Sequence, residues 1–234
     1  MVQFFLYILV GFTAQIIDGA LGMAYGVSCT SFLLTLGVPA ALASASVHTA
    51  EVFTTFVSGI SHFKLGNVDK KLFTNLLIPG ILGGVIGAYT LTNFPGDLLK
   101  PYIAGYLLLM GIQIIYKSTK EFQKEPKDIG RGIYILGFVG GLMDAVGGGG
   151  WGPIVTSTLV AYGNSARKTI GSVNASEFFI TLAEAITFII FLSITKWEVI
   201  AGLMVGGVIA APLAAIITKK LDPKKLMLVV GIFI

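Results

Sequence analysis

Charge is what this sequence has least of. Asp, Glu, Lys and Arg make up 12% of its 234 residues, against 55% hydrophobic. A soluble domain carries roughly 25% charged residues, so this composition, with a mean hydropathy of +0.86, excludes a water-soluble enzyme. Cysteine is nearly absent as well: Cys29 stands alone, which excludes an internal disulfide and a cysteine-paired metal centre. The two histidines, His48 and His62, lie fourteen positions apart and match no metal-ligand spacing, so neither metal nor cofactor is expected. There is no Walker-type nucleotide loop, so ATP is not expected as the direct energy source. The first residues, Met1-Val2-Gln3-Phe4-Phe5-Leu6, lack a basic start and a small-residue cleavage site and are expected to form a retained membrane segment. The net charge of +4 is spread over loops, where it reports orientation in a bilayer and requires no nucleic-acid partner.

What the chain does have is apolar runs and glycine. One stretch stands out: Asp144-Ala145-Val146-Gly147-Gly148-Gly149-Gly150-Trp151-Gly152-Pro153. Four consecutive glycines interrupt any membrane helix, and irregular backbone at that depth is tolerated only inside protein or beside a wet cavity. Pro153 suits the first turn of a new helix, so a break with a restart near Gly152 is predicted. A degenerate copy lies at Asp18-Gly19-Ala20-Leu21-Gly22-Met23-Ala24-Tyr25-Gly26.

Apolar segments are predicted at 2–17, 26–38, 40–63, 72–92 and 98–117, then at 132–146, 152–163, 168–194, 198–218 and 224–234. The polar stretch between the two series divides the chain into a first repeat (1–117), a linker (118–131) and a second repeat (132–234). A shift of 126 positions superposes the halves: Asp18 falls on Asp144, Gly22 and Gly26 on Gly148 and Gly152, Thr30-Ser31 on Thr156-Ser157, and Glu51 on Glu177. Residues 11–60 give 16 identities in 50, polar residues among them. Matched loops carry opposite charge patterns. Loop 64–71 is basic where 195–198 is not, while 163–168 and 219–225 are basic where 37–39 and 93–100 are not. Under the positive-inside rule the repeats are therefore inverted, with 64–71, 117–131, 163–168 and 219–225 in the cytoplasm.

This predicts an all-α integral membrane protein of two inverted-topology repeats, each a Gly-broken re-entrant helical hairpin plus three transmembrane helices. The hairpin arms, at about 12–16 residues or roughly 18–24 Å, are shorter than the roughly 30 Å hydrocarbon core. Two short tilted spans are the alternative. The hairpin reading gives six full crossings and places both termini outside.

Two groups of residues could carry function. At the hairpin tips, open backbone N–H groups and a half-helix N-terminus suit an anion. This makes Gly22, Gly26, Gly148, Gly149, Gly150, Trp151 and Gly152 candidate substrate residues, with hydroxyls from Ser28, Thr30, Ser31, Thr156 and Ser157. Deeper in the spans lie His48/Glu51 and Asn174/Glu177, each pair on one helix face at spacing three. Intramembrane acids are functional candidates by default, so Glu51, Glu177, Asp18 and Asp144 are candidate proton carriers. The two aspartates are read first as caps of the restarting helices and second as protonated pathway groups, and ionised glutamates would repel an anion unless protonated, paired or turned away. Arg167 and Lys168 set topology or draw an anion to the mouth, and His62 is expected at the interface. Ser58 and His62, four apart on one helix, lack a third catalytic group and are expected to be a chance pair. Gly80, Gly83, Gly84 and Gly87, matched by Gly207, Ala210, Ala211 and Ala214, form small-residue faces for contact between repeats or in a homodimer.

The second signature, Gly147-Gly148-Gly149-Gly150-Trp151-Gly152-Pro153, in the setting of paired halves, resembles the glycine-rich motif of the TauE/SafE sulfite-exporter family, also called the toluene sulfonate uptake permease family. The first copy departs from it at Leu21, Met23, Ala24 and Val27. The resemblance spans essentially the whole chain. It implies a transporter in the cell membrane for small sulfur-containing anions such as sulfite or organosulfonates. A secondary carrier is then expected, an exporter driven by membrane potential or a proton gradient through alternating access. An anion channel on the same scaffold and an organosulfonate uptake permease are the other readings. The expected partners are a small anionic substrate and the lipid bilayer.

Overall fold

The structure, a computed structural model, describes residues 2–94, 96–119, 130–192 and 196–217, with Leu228 and Ile232 placed singly beyond. Most of the linker (120–129), the basic loop 219–225 and nearly all of the segment expected at 224–234 lie outside the described residues. The described chain runs α1 (Val2–Leu21), α2 (Tyr25–Thr35), α3 (Ala40–Lys64), α4 (Lys70–Asn93), α5 (Gly96–Ser118) and α6 (Gly132–Gly147). A π-helical turn (Gly152–Thr156) leads into α7 (Ser157–Ala161), followed by α8 (Ala166–Phe191) and α9 (Trp197–Ile217). No strand occurs among the described residues.

The breaks follow from local chemistry. Asp69 caps α4, its Oδ1 accepting from the Lys71 and Leu72 N–H groups at 2.9 and 3.0 Å. Pro39 and Ser165 hold matching extended conformations ahead of α3 and α8, which begin 126 residues apart. Pro153 stands in the first turn of the restarting helix, where its missing N–H costs nothing.

Among the described residues, four helices are long and apolar enough to cross a membrane: Gln3–Leu21, Lys70–Asn93, Ala166–Phe191 and Trp197–Ile216. Three of these are among the six expected crossings. The fourth corrects the expected arm at 2–17: α1 has 20 residues, about 30 Å of helix, and runs through Asp18 and Gly19 to Leu21. Its end falls at Gly22, where φ turns to +67°, because Asp18 directs its side chain forward to the next helix and leaves the α1 backbone unbroken. The second arm, α6, has 16 residues as expected.

The halves clasp each other. α1 packs along α9, α4 along α6, and α3 crosses α8 at the centre. The small-residue faces make the outer contacts: a Cβ on Gly83 would strike the Phe138 carbonyl, and one on Gly206 the Ile8 carbonyl. Ala210, Ala211 and Ala214 are fully buried, so these faces are taken up within the chain. Two apolar clusters recur with the 126-residue offset. Tyr7, Tyr25, Cys29, Leu33 and Val47 form one, and Ile133, Trp151, Val155, Leu159 and Val173 form the other.

Candidate functional site

The two glycine tips meet each other near the centre of the fold. Gly26 backs onto Gly149 and Gly152 onto Met23, with no room for a Cβ at either contact. Thr30 Oγ1 donates to the Gly148 carbonyl at 2.5 Å, and Thr156 Oγ1 donates to the Gly22 carbonyl at 2.6 Å. Donors and acceptors are each 126 residues apart. Gly22 and Gly148 close their helices at φ +67° and +68°, a conformation that only glycine adopts without penalty. In the first tip Ala24 sits at φ +103° where the second tip has glycine.

Asp144 closes the second tip. Its Oδ1 accepts from the Gly150 N–H at 2.6 Å and from the Trp151 N–H at 2.9 Å. Asp18 does the same more loosely, accepting from Tyr25 N–H at 3.5 Å. Both aspartates therefore cap restarting helices, and tip N–H groups expected to stand open for an anion are held by the chain's own carboxylates. Three of the five candidate hydroxyls are engaged too: Thr30 and Thr156 across the tips, and Ser157 on the Pro153 carbonyl, while Ser31 Oγ has no partner among the described residues. Ser28 lies half-buried on α2. Trp151 is fully buried against Gly80 and Gly140, its indole N–H 3.3 Å from the Val173 carbonyl. Tyr106 of α5 covers the second tip, its hydroxyl donating to the Gly149 carbonyl at 3.2 Å.

Beside the tips, α3 and α8 bring polar side chains together. His48 Nδ1 is 3.0 Å from Glu51 Oε2 and 3.3 Å from Glu184 Oε2, while Nε2 is 3.1 Å from the Asp144 carbonyl. Ser58 Oγ donates to Asn174 Oδ1 at 2.6 Å. Under the repeat shift His48 corresponds to Asn174 and Ser58 to Glu184, so the two cross-half pairs are counterparts. The sequence reading finds His48 with Glu51 but misses both cross-half pairs. Asn174 bonds Ser58 and the Ile170 carbonyl, and no bond joins it to Glu177. Glu184 was missed altogether, although an acid in the middle of a 26-residue apolar helix was the signal.

Asp18, Glu51, Asp144, Glu177 and Glu184 are all buried, and among the described residues no Lys or Arg side chain is. Glu177 lies within electrostatic range of the other four. Although no linear spacing suggests a metal, the fold gathers one donor atom each from His48, Asp144 and Glu184 within 4.8 Å of one another.

One further expectation is corrected. His62 is fully buried, not interfacial: its Nε2 faces the Gly19 carbonyl at 3.1 Å and its Nδ1 accepts from Asn67 Nδ2 at 3.0 Å. Arg167 and Lys168, read as setting topology or drawing an anion, are exposed and tied to the first half. Arg167 donates to the Leu65 carbonyl at 2.8 Å and Lys168 to the Gly66 carbonyl at 2.9 Å, joining loop 64–69 to the start of α8. Ser58 and His62 have separate partners, consistent with a chance pair.

Residues 7–234 match the family model described as Sulfite exporter TauE/SafE. The chain belongs to that family. It is 44% identical over 242 aligned positions to the probable membrane transporter protein YtnM of Bacillus subtilis (strain 168), an alignment covering 100% of this chain and 81% of that protein. It is 27% identical over 180 positions to the probable membrane transporter protein YdhB of the same organism, covering 74% of this chain and 70% of the relative. No solved structure matches the chain. For a TauE/SafE chain, then, the better-preserved glycine signature is the tip whose cap has two bonds, and the degenerate copy is the tip whose cap has one.

Proposed function

We propose that the chain is a secondary membrane transporter of small sulfur-containing oxyanions such as sulfite or an organosulfonate. It works in the export direction, by alternating access between inverted repeats 1–117 and 132–234. The linker 118–131 is cytoplasmic, both termini are outside, and each Gly-broken segment doubles back at its tip to begin and end on the same side of the bilayer. The observation that carries the reading is the carboxylate oxygen of Asp144 held by the Gly150 and Trp151 N–H groups. That oxygen occupies the position one oxygen of a sulfite or sulfonate would take at a helix N-terminus. The empty carrier thus fills its own cradle, and substrate enters by displacing the aspartate as the tips part. Family membership supports the substrate class.

Inversion draws support from the loops. The C-terminal end of α3 meets the N-terminal end of α8 through Arg167 and Lys168, so these two helices run antiparallel. Loops 64–71 and 163–168, both expected inside on charge, are therefore neighbours. The buried Glu51 and Glu177, with Asp18 and Asp144, are the candidates for proton coupling.

The test is a binding titration of purified protein with sulfite, sulfate, sulfoacetate, taurine and acetate. Asp144→Asn keeps an acceptor for the two N–H groups and changes the charge beside the cradle, so it is expected to shift the affinity for the preferred sulfur oxyanion several-fold. Thr156→Val loosens the tip contact and is expected to shift the same affinity. The reading fails if no sulfur oxyanion binds, or if both variants bind as the parent does.

A further inference from the structure

An anion carrier whose interior, among the described residues, holds five carboxyl groups and no buried lysine or arginine lacks positive charge where its substrate must pass. The geometry around His48 shows where such charge belongs. Nε2 faces the Asp144 carbonyl at 3.1 Å, and a carbonyl only accepts, so Nε2 carries the ring proton. Nδ1 therefore turns toward Glu51 Oε2 at 3.0 Å and Glu184 Oε2 at 3.3 Å. A neutral imidazole presents a lone pair there, and what joins it to the two carboxyl groups is either the proton of one of them or a cation bound between them.

A proton on Nδ1 can be donated fully to one carboxylate. It leaves both oxygens of Glu184 and Oδ2 of Asp144 buried without a hydrogen-bond donor, as they are here. A metal ion takes a lone pair from each at once. A ligating histidine also typically donates its other ring N–H to a carbonyl, as His48 does to that of Asp144.

We propose that His48, Asp144 and Glu184 form a binding site for a divalent first-row transition-metal cation of the Zn²⁺ type, with Glu51 as a fourth donor in reach. One imidazole and two or three carboxylates form a mixed N/O set suited to such an ion. Oδ1 of Asp144 caps the second tip and Oδ2 is free for the metal, so one side chain joins the cation to the oxyanion cradle. The bound cation supplies the charge that lets a sulfur oxyanion enter among carboxylates. This role rests on the proposed function; the site itself does not.

The experiment uses full-length purified protein in detergent, stripped with a chelator and desalted, with Co²⁺ alone as probe and no anion present. The expected result is about one Co²⁺ per chain with a visible absorption band, displaced by Zn²⁺. Glu184→Gln and His48→Gln are each expected to weaken binding at least about tenfold, while Glu198→Gln, at an exposed position, leaves it unchanged. Asp144→Asn retains the tip cap and serves as the folded control variant, with the same expected weakening. No Co²⁺ or Zn²⁺ binding, or binding that survives all three site substitutions, overturns the proposal. Sulfite binding that is equally tight with and without chelator overturns the cation's role and leaves the proposed function standing. Metal binding by a protein that takes no sulfur oxyanion upholds the site and sinks the proposed function.

Discussion

The Thr55 and Thr181 hydroxyls lie 3.4 Å apart, and the two residues are 126 positions apart in sequence. Each is therefore in contact with its own counterpart in the other half. Two related objects touch at equivalent points only on the axis that relates them, so this contact marks the centre about which the 126-residue repeat is arranged. The crossing of α3 and α8 is that centre, and His48, Ser58, Asn174 and Glu184 are arranged on either side of it.

This contact is open to cross-linking. In a Cys29→Ala background, Thr55→Cys combined with Thr181→Cys is expected to form a disulfide on mild oxidation, since the hydroxyl separation leaves little movement to make. With a protease site placed in the linker, cleaved protein would run as one band when oxidised and as two when reduced. Two bands under both conditions would mean that α3 and α8 do not meet there.

Asp144 is expected to matter to the fold through its two tip bonds. Asp144→Ala leaves the buried Gly150 and Trp151 N–H groups without an acceptor, at a cost of about 2 kcal/mol or more. Asp18→Ala removes a single long bond and is expected to cost less than half as much. Thermal unfolding in detergent should rank the parent above Asp18→Ala, and Asp18→Ala above Asp144→Ala. The reverse order would show that capping is not what these acids do.

Glycine and alanine positions give a paired test of tip strain and helix contact. Ala24 at φ +103° is held in a region that favours glycine, so Ala24→Gly is expected to stabilise by about 1 kcal/mol. Gly83→Ala forces a methyl into the Phe138 carbonyl and is expected to destabilise by about 1–3 kcal/mol. Gly105→Ala, with nothing within 4 Å of the new carbon, is the neutral reference. Melting temperatures of the three single variants decide the matter.

Much of the helix order was legible because apolar length and glycine punctuation are local signals. The segments expected at 40–63 and 132–146 became Ala40–Lys64 and Gly132–Gly147. The 126-residue shift also foretold which residues would be counterparts, as Tyr25 and Trp151 are in their two clusters. Interactions between elements were less accessible. Nothing in the spacing of His48 and Glu184 signals that they meet, because the helix crossing that joins them is fixed by side-chain packing along α3 and α8. The sequence offered Asp144 as a cap ahead of a pathway acid, and its Oδ1 against two N–H groups makes it the cap. His62 was misplaced because a basic neighbourhood in sequence says little about which way a helix face turns. It turns inward, onto the Gly19 carbonyl.

The central claim is that the opposed tips carry a sulfur oxyanion across the membrane. The most direct measurement is counterflow of radiolabelled sulfite in proteoliposomes, with a sulfite-loaded interior and label added outside. The account predicts saturable, transient label accumulation above equilibrium, and a changed half-saturation concentration with Asp144→Asn. Absence of counterflow for sulfite and for the organosulfonates, in protein that remains folded and correctly inserted, would contradict it.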